Sequence, residues 1–252
     1  MTYTIGIDVG GTKVLGGVVD ELGEVHKTAR RDTPKEGGAA LTAAIAEVAN
    51  ELKAQFPVES VGVSAAGWVS SDRKTMLATP NISGWNGVNL DYELTNLIGL
   101  PVDIENDANA AAWGEARFGA AKGKQHVLLL TIGTGLGGGI VIDGKLHRGA
   151  FGIAAEVGHM RVVPDGLLCG CGAKGCFEQY GSGSALMRHT REAIEQNPGI
   201  AGKLLARGDG TLSGLTGTMI MEAARDGDVI AIEVFRTTGK WIGAGVASLS
   251  AI

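Results

Sequence analysis

One short plan occurs twice in this chain, and that repeat limits its possible folds more than any other feature. Residues 3–8, Tyr-Thr-Ile-Gly-Ile-Asp, read as a strand, and Val9-Gly10-Gly11-Thr12-Lys13 as a loop. Residues 14–20 read as a second strand, and the turn at 21–24 leads to a third over 25–30. Residues 127–132 again carry a strand pattern. The glycine-threonine stretch 133–139 follows, and 140–142 with the Asp143-Gly144 turn repeats the hairpin. Asp8 to Thr12 aligns with Thr131 to Gly135. A duplication of this size predicts an α/β protein of two similar lobes, one over 1–118 and one over 119–252.

The stretch between the copies is mixed. Leu41, Ile45, Val48 and Leu52 recur at helical spacing, so 40–55 reads as an amphipathic helix. A short strand over 60–64 ends at Ala65-Ala66-Gly67, and residues 79–85 read as loop. A helix over 90–98 precedes a buried strand over 101–105, and 109–118 is helical. Further helices are expected over 184–196, 218–225 and from 228 onward. The chain stops at Ile252 inside an apolar pattern with no cap, as expected of a piece of a longer domain.

All three cysteines lie in one short loop, at Cys169, Cys171 and Cys176, close after His159. Three thiolates and an imidazole are the count and type of ligand that a closed tetrahedral zinc site uses. Gly170, Gly172 and Gly175 stand between the sulfurs, where sharp turns are needed. An odd cysteine count and no visible secretory signal argue against disulfides and for a reducing compartment, hence a cytoplasmic protein. Net charge is −5 without a basic block, so neither nucleic acid nor an anionic membrane is an expected partner. The apolar run 127–142 is broken by glycines and too short to span a bilayer.

Gly133-x-Gly135-x-x-Gly138 matches the dinucleotide fingerprint in form, but a β pattern follows where that motif needs a helix. Two glycine-threonine hairpins can still hold phosphates through converging N–H groups and hydroxyls; ordinary tight turns are the alternative. Asp8 would repel phosphate unless Mg2+ lay between them, which makes it a candidate metal or metal-water ligand; a turn cap is the alternative. Asp107 ends a strand beside Asn106, where open α/β sheets bind ligands. It is ionised at neutral pH and suited to take a hydroxyl proton, or it simply caps the helix that follows. Asn81, Asn106, Glu156, Glu178 and His159 make the polar set expected around a polyol.

Together these motifs resemble the ROK family, and within it the ATP-dependent sugar kinases. The matching residues are 8–13 (DVGGTK), 79–81 (TPN), 105–107 (END), 133–139 (GTGLGGG), 156–159 (EVGH) and 169–178 (CGCGAKGCFE). The resemblance implies the actin/hexokinase/Hsp70-like fold, two lobes with a central cleft. It implies transfer of the γ-phosphoryl of MgATP to the 6-hydroxyl of glucose, with Asp107 as the base. Gly67, Asn81, Asn106, Asp107, Glu156, His159 and Glu178 would bind sugar. Asp8, Gly10, Gly11, Thr12, Lys13, Gly133, Thr134 and Gly135 would serve ATP and Mg2+, and His159, Cys169, Cys171 and Cys176 structural Zn2+. A dimer or tetramer is implied, as is a further C-terminal segment beyond Ile252. A kinase for fructose, mannose or N-acetylmannosamine, a polyphosphate-using kinase, and a sugar-sensing regulator are the alternatives.

Overall fold

The computed structural model describes residues 2–79 and 82–251. The chain divides into two compact units, Met1–Leu129 with Gly138–Ala155, and Leu130–Gly137 with Glu156–Ile252. Neither unit is one continuous segment, whereas the sequence reading divides the chain once, after 118.

The first unit opens with β1 (Tyr3–Val9), β2 (Lys13–Asp20) and β3 (Val25–Asp32), an antiparallel meander. Helix α1 (Gly38–Lys53) follows, and then β4 (Val58–Ala65), which runs parallel to β1. A small antiparallel sheet comes next, made of β5 (Trp68–Val69), β6 (Thr75–Ala78) and β7 (Val88–Asn89). Its strands are two to four residues long, too short for an alternating pattern to register, and the sequence reading missed them. Helix α2 (Leu90–Ile98) leads to β8 (Val102–Asn106), parallel to β4, and then to α3 (Asp107–Arg117).

The large sheet has the order β3-β2-β1-β4-β8. Ile5, Ile7, Val9, Val61 and Val63 point to one face and pack with Ile45, Val48 and Leu52 of α1 and Leu94 of α2. Burying each of these side chains contributes about 1.5–3 kcal/mol. Helix α1 sits so close to β2 that a Cβ on Gly16 would lie 2.4 Å from Val48 Cγ1. The other face carries small or polar residues, including Thr4, Gly6, Gly62 and Ser64, and borders a cavity of about 680 Å³.

Strands β9 (Val127–Ile132), β10 (Leu136–Ile142) and β11 (Lys145–Leu146) form a sheet of order β11-β10-β9, repeating the β3-β2-β1 order. The turn between β10 and β11 has positive φ at both Asp143 and Gly144, as a two-residue hairpin of this twist requires. The expected loop 133–139 is shorter: β10 already starts at Leu136. Gly139 lies inside that strand because α3 crosses it, and a Cβ there would meet Ala112 Cβ at 2.4 Å.

In the second unit a single 3-10 turn (Val157–His159) precedes the cysteine loop. Helices α4 (Glu178–Gly181), α5 (Gly183–Gln196), α6 (Gly202–Leu205), α7 (Gly217–Arg225) and α8 (Val229–Leu249) follow. Their core is built on Leu186, Ile194, Leu204, Ile220, Ile230 and Val234. Gly245 lets α8 approach the ring of Phe177, where a Cβ would come within 2.2 Å. Among the described residues, no helix is long and apolar enough to cross a membrane.

Candidate active site

Parallel pairing of β1, β4 and β8 sets Val9, Ala65 and Asn106 level across the sheet. The chain therefore leaves these strands on one edge, and the loop at Gly10, the turn at Gly67 and the start of α3 all lie there. This is the C-terminal edge, where α/β sheets place ligands. Asn106 is the N-cap of α3: its side chain accepts the Asn109 amide hydrogen at 3.0 Å. Its Nδ2 donates to the Gly67 carbonyl at 3.0 Å. The capping alternative for Asp107 therefore falls to its neighbour, and Asp107 is the first helical residue. One Asp107 oxygen, Oδ1, accepts the Ala108 amide at 2.9 Å.

Gly67 has φ 142°, and a Cβ there would lie 2.6 Å from the Ala78 carbonyl oxygen. Glycine is required for backbone reasons, and its carbonyl anchors Asn106. Asp8 is exposed, yet partial desolvation raises its carboxyl above the ordinary range; Asp107 adds repulsion and Lys13 offsets part of it. Two carboxylates that repel at a sheet edge are a natural place for a divalent cation. The turn at 10–13 is pinned by Thr33, whose hydroxyl donates to the Gly10 carbonyl at 2.6 Å. Among the described residues the exposed Gly11 and Thr12 amides make no hydrogen bond, which leaves them available to an anion.

In the second unit the loop at 133–135 is seated on the start of α5. Gly183 N donates to the Gly133 carbonyl at 2.8 Å and Ser184 Oγ to the Thr134 carbonyl at 2.8 Å. With its carbonyls held, the loop's Thr134 and Gly135 amides are left without partners among the described residues. Gly135 is dictated by a close approach, since a Cβ there would lie 2.4 Å from Glu178 Oε2. That same oxygen accepts the Leu136 amide at 3.2 Å.

His159, Cys169, Cys171 and Cys176 bring one donor atom each within 4.8 Å of all the others. Cys171 and Cys176 sulfurs are 3.7 Å apart, and Cys169 Sγ is 3.7 Å from His159 Nδ1. Zinc–sulfur bonds of about 2.3 Å put tetrahedral ligands about 3.8 Å apart, so the donors already fit that ion. No disulfide links them. Burial, followed by the neighbouring thiols, pushes Cys176 up to about 12 in the metal-free state, so binding a cation there would release a proton. Of the three glycines expected to shape this loop, Gly172 and Gly175 have positive φ and Gly170 does not. A Cβ on Gly175 would lie only 1.6 Å from the Val163 carbonyl oxygen. With Nδ1 turned to the sulfurs, His159 Nε2 lies 3.9 Å from Glu156 Oε2. Cys169 also reaches Glu178, whose Oε1 accepts from its thiol at 3.5 Å. Asn81 lies outside the described residues.

The ROK family matches residues 4–252. The chain belongs to the ROK family. It is 48% identical over all 252 residues to the glucokinase of Streptomyces coelicolor, covering 79% of that protein. It is 37% identical over 231 residues to the glucokinase of Thermotoga maritima, covering 91% of this chain and 72% of that one. In three dimensions it resembles the ROK family glucokinase from Streptomyces griseus solved with glucose and AMPPNP. The TM-score is 0.85 at 50% identity, with 99% of this chain and 79% of that one covered. The fold is thus the duplicated actin/hexokinase-like fold that the repeat and motifs led us to expect. Sequence reasoning about this ROK chain missed Glu105 and Arg148 as a pair. They are 43 positions apart, and no local pattern links them.

Proposed function

We propose that this protein is an ATP-dependent glucokinase, transferring the γ-phosphoryl of MgATP to the 6-hydroxyl of glucose to give glucose 6-phosphate and ADP. The strand-to-helix junction at 105–107 carries the reading. Asn106 takes the structural duty of the cap, and Asp107 is free to act as general base on the sugar hydroxyl. Asn106, Glu156, His159 and Glu178, with Gly67 and Asn81, are assigned to the sugar. The amides and side chains of Gly10 to Lys13 and of Gly133 to Gly135 are assigned to the phosphates. There they would offset the charge of the transferred group by positioning and electrostatics. Asp8 is assigned to Mg2+, which when bound neutralises phosphate charge. His159, Cys169, Cys171 and Cys176 are assigned to a structural Zn2+ that sets the loop running to Glu178. The protein is expected to be cytoplasmic and a dimer or tetramer, with no nucleic-acid or membrane partner.

The deciding experiment assays glucose, fructose, mannose and N-acetylmannosamine against ATP and polyphosphate, with bound zinc measured alongside. Glucose with ATP should give the highest kcat/KM. A preference for N-acetylmannosamine or polyphosphate would replace the substrate assignment, and no phosphorylation of any sugar would remove the kinase reading. Cys171→Ser should lose zinc and raise the glucose KM; full zinc content with unchanged kinetics would contradict the metal assignment.

A further inference from the structure

We propose that Arg148 is a positioning residue for Asp107, acting through Glu105; this rests on the glucokinase reading. Glu105 ends β8 two residues before Asp107, and its side chain is only 15% exposed. Its Oε2 accepts from Arg148 Nε at 2.7 Å and lies 2.6 Å from Nη2. Its Oε1 accepts from the Asn106 amide at 3.1 Å and from Asn109 Nδ2 at 3.3 Å. Asn106 is the cap of α3, and Asn109 supplies the amide that is capped. Glu105 therefore holds both ends of the bond that fixes where α3 begins, and Asp107 is the first residue of that helix.

A mostly buried carboxylate keeps its place only if its charge is matched, and removing one partner of such a pair leaves the other uncompensated. Asp8 on β1 and Asp107 already repel each other, with Lys13 on β2 offsetting part of the charge at Asp8, and Glu105 ends β8 two residues before Asp107. Without Arg148, Glu105 would add an unmatched negative charge at the same sheet edge and would no longer be held toward Asn106. Arginine suits the task because two N–H groups from one planar fork meet a single carboxylate oxygen, whereas lysine offers charge from one point. The arginine is itself held: its carbonyl accepts the Ala154 amide at 3.1 Å, closing the turn at 148–154.

The test is steady-state phosphorylation of glucose by wild type, Arg148→Met, Arg148→Lys and the double variant Arg148→Met/Glu105→Gln, with thermal melts of each. Arg148→Met should lower kcat about ten-fold or more while the KM values for glucose and ATP stay within about two-fold. Arg148→Lys should recover part of the loss. The double variant should exceed Arg148→Met, because it removes the uncompensated charge along with the pair. If Arg148→Met does not fold, the lysine and double variants carry the same comparison. Wild-type kcat in Arg148→Met, a raised glucose KM at unchanged kcat, or a loss that neither second variant relieves would each overturn the assignment. Absence of sugar kinase activity in the wild type would instead remove the glucokinase reading on which it rests.

Discussion

Asn106 and Asp107 stand side by side at the same strand end, yet geometry gives them different work. The asparagine has the extended backbone of a cap, φ −62° and ψ 144°, and its oxygen reaches the Asn109 amide. The aspartate, one residue on, keeps one oxygen on the Ala108 amide and is positioned by the helix it begins. Asp107→Asn keeps the size and hydrogen-bonding reach of the side chain but cannot take a proton. Its glucose affinity should stay near wild type while kcat falls between about 10²- and 10⁴-fold. Isothermal titration and steady-state kinetics check this, and ordinary turnover in the variant would end the base assignment. The residue types of the 105–107 junction could be read from the chain. Which of the two polar neighbours caps the helix could not, because that depends on the φ and ψ at which β8 leaves the sheet.

Elements owe their placement to what two surfaces allow. Gly139 shows this: by sequence it belongs to the loop 133–139, but it is the point where β10 and α3 touch. Gly139→Val would force α3 away from its strand, costing about 1–3 kcal/mol of overpacking. Because α3 begins with Asp107, turnover should fall along with the denaturation midpoint, and an unchanged midpoint would show that the contact is dispensable. Helices α5 and α8 are tied by His189, whose Nδ1 lies 3.0 Å from Thr238 Oγ1. That hydroxyl already donates to the Val234 carbonyl, so it must accept from His189, which places a proton on Nδ1. Burial, then the neighbouring Arg188 charge, lowers the His189 pKa. The unfolded chain then binds this proton at higher pH than the folded one. Stability should be full above about pH 6.5 and fall as pH drops through the window down to the folded value. Urea titrations of wild type and His189→Gln across pH 5–8 test this. The variant should lack that part of the pH dependence, and parallel curves would refute it.

At the scale of the molecule, the chain passes between its two units at 129/130, 137/138 and 155/156. A single cut of the sequence could not show this, because β9 and β10 each begin in one unit and finish in the other. A sugar that binds the folded protein alone should stabilise it by mass action. Glucose at about 100 times its Kd should add about 2.7 kcal/mol, and differential scanning fluorimetry should register a rise of several degrees. A melting temperature indifferent to glucose would count against the sugar assignment.

The chain by itself determined the duplicated strand–loop–strand plan, the long helices and the gathering of three cysteines in one loop after His159. Those signals are local: periodic apolar positions, glycines beside threonines, and three sulfurs within eight residues. Only the tertiary structure decided that Asn106 rather than Asp107 is the cap, that Gly139 and Gly245 are contact points, and that Arg148 meets Glu105. Each of those facts depends on which distant segments the packing brings within a few ångströms of one another.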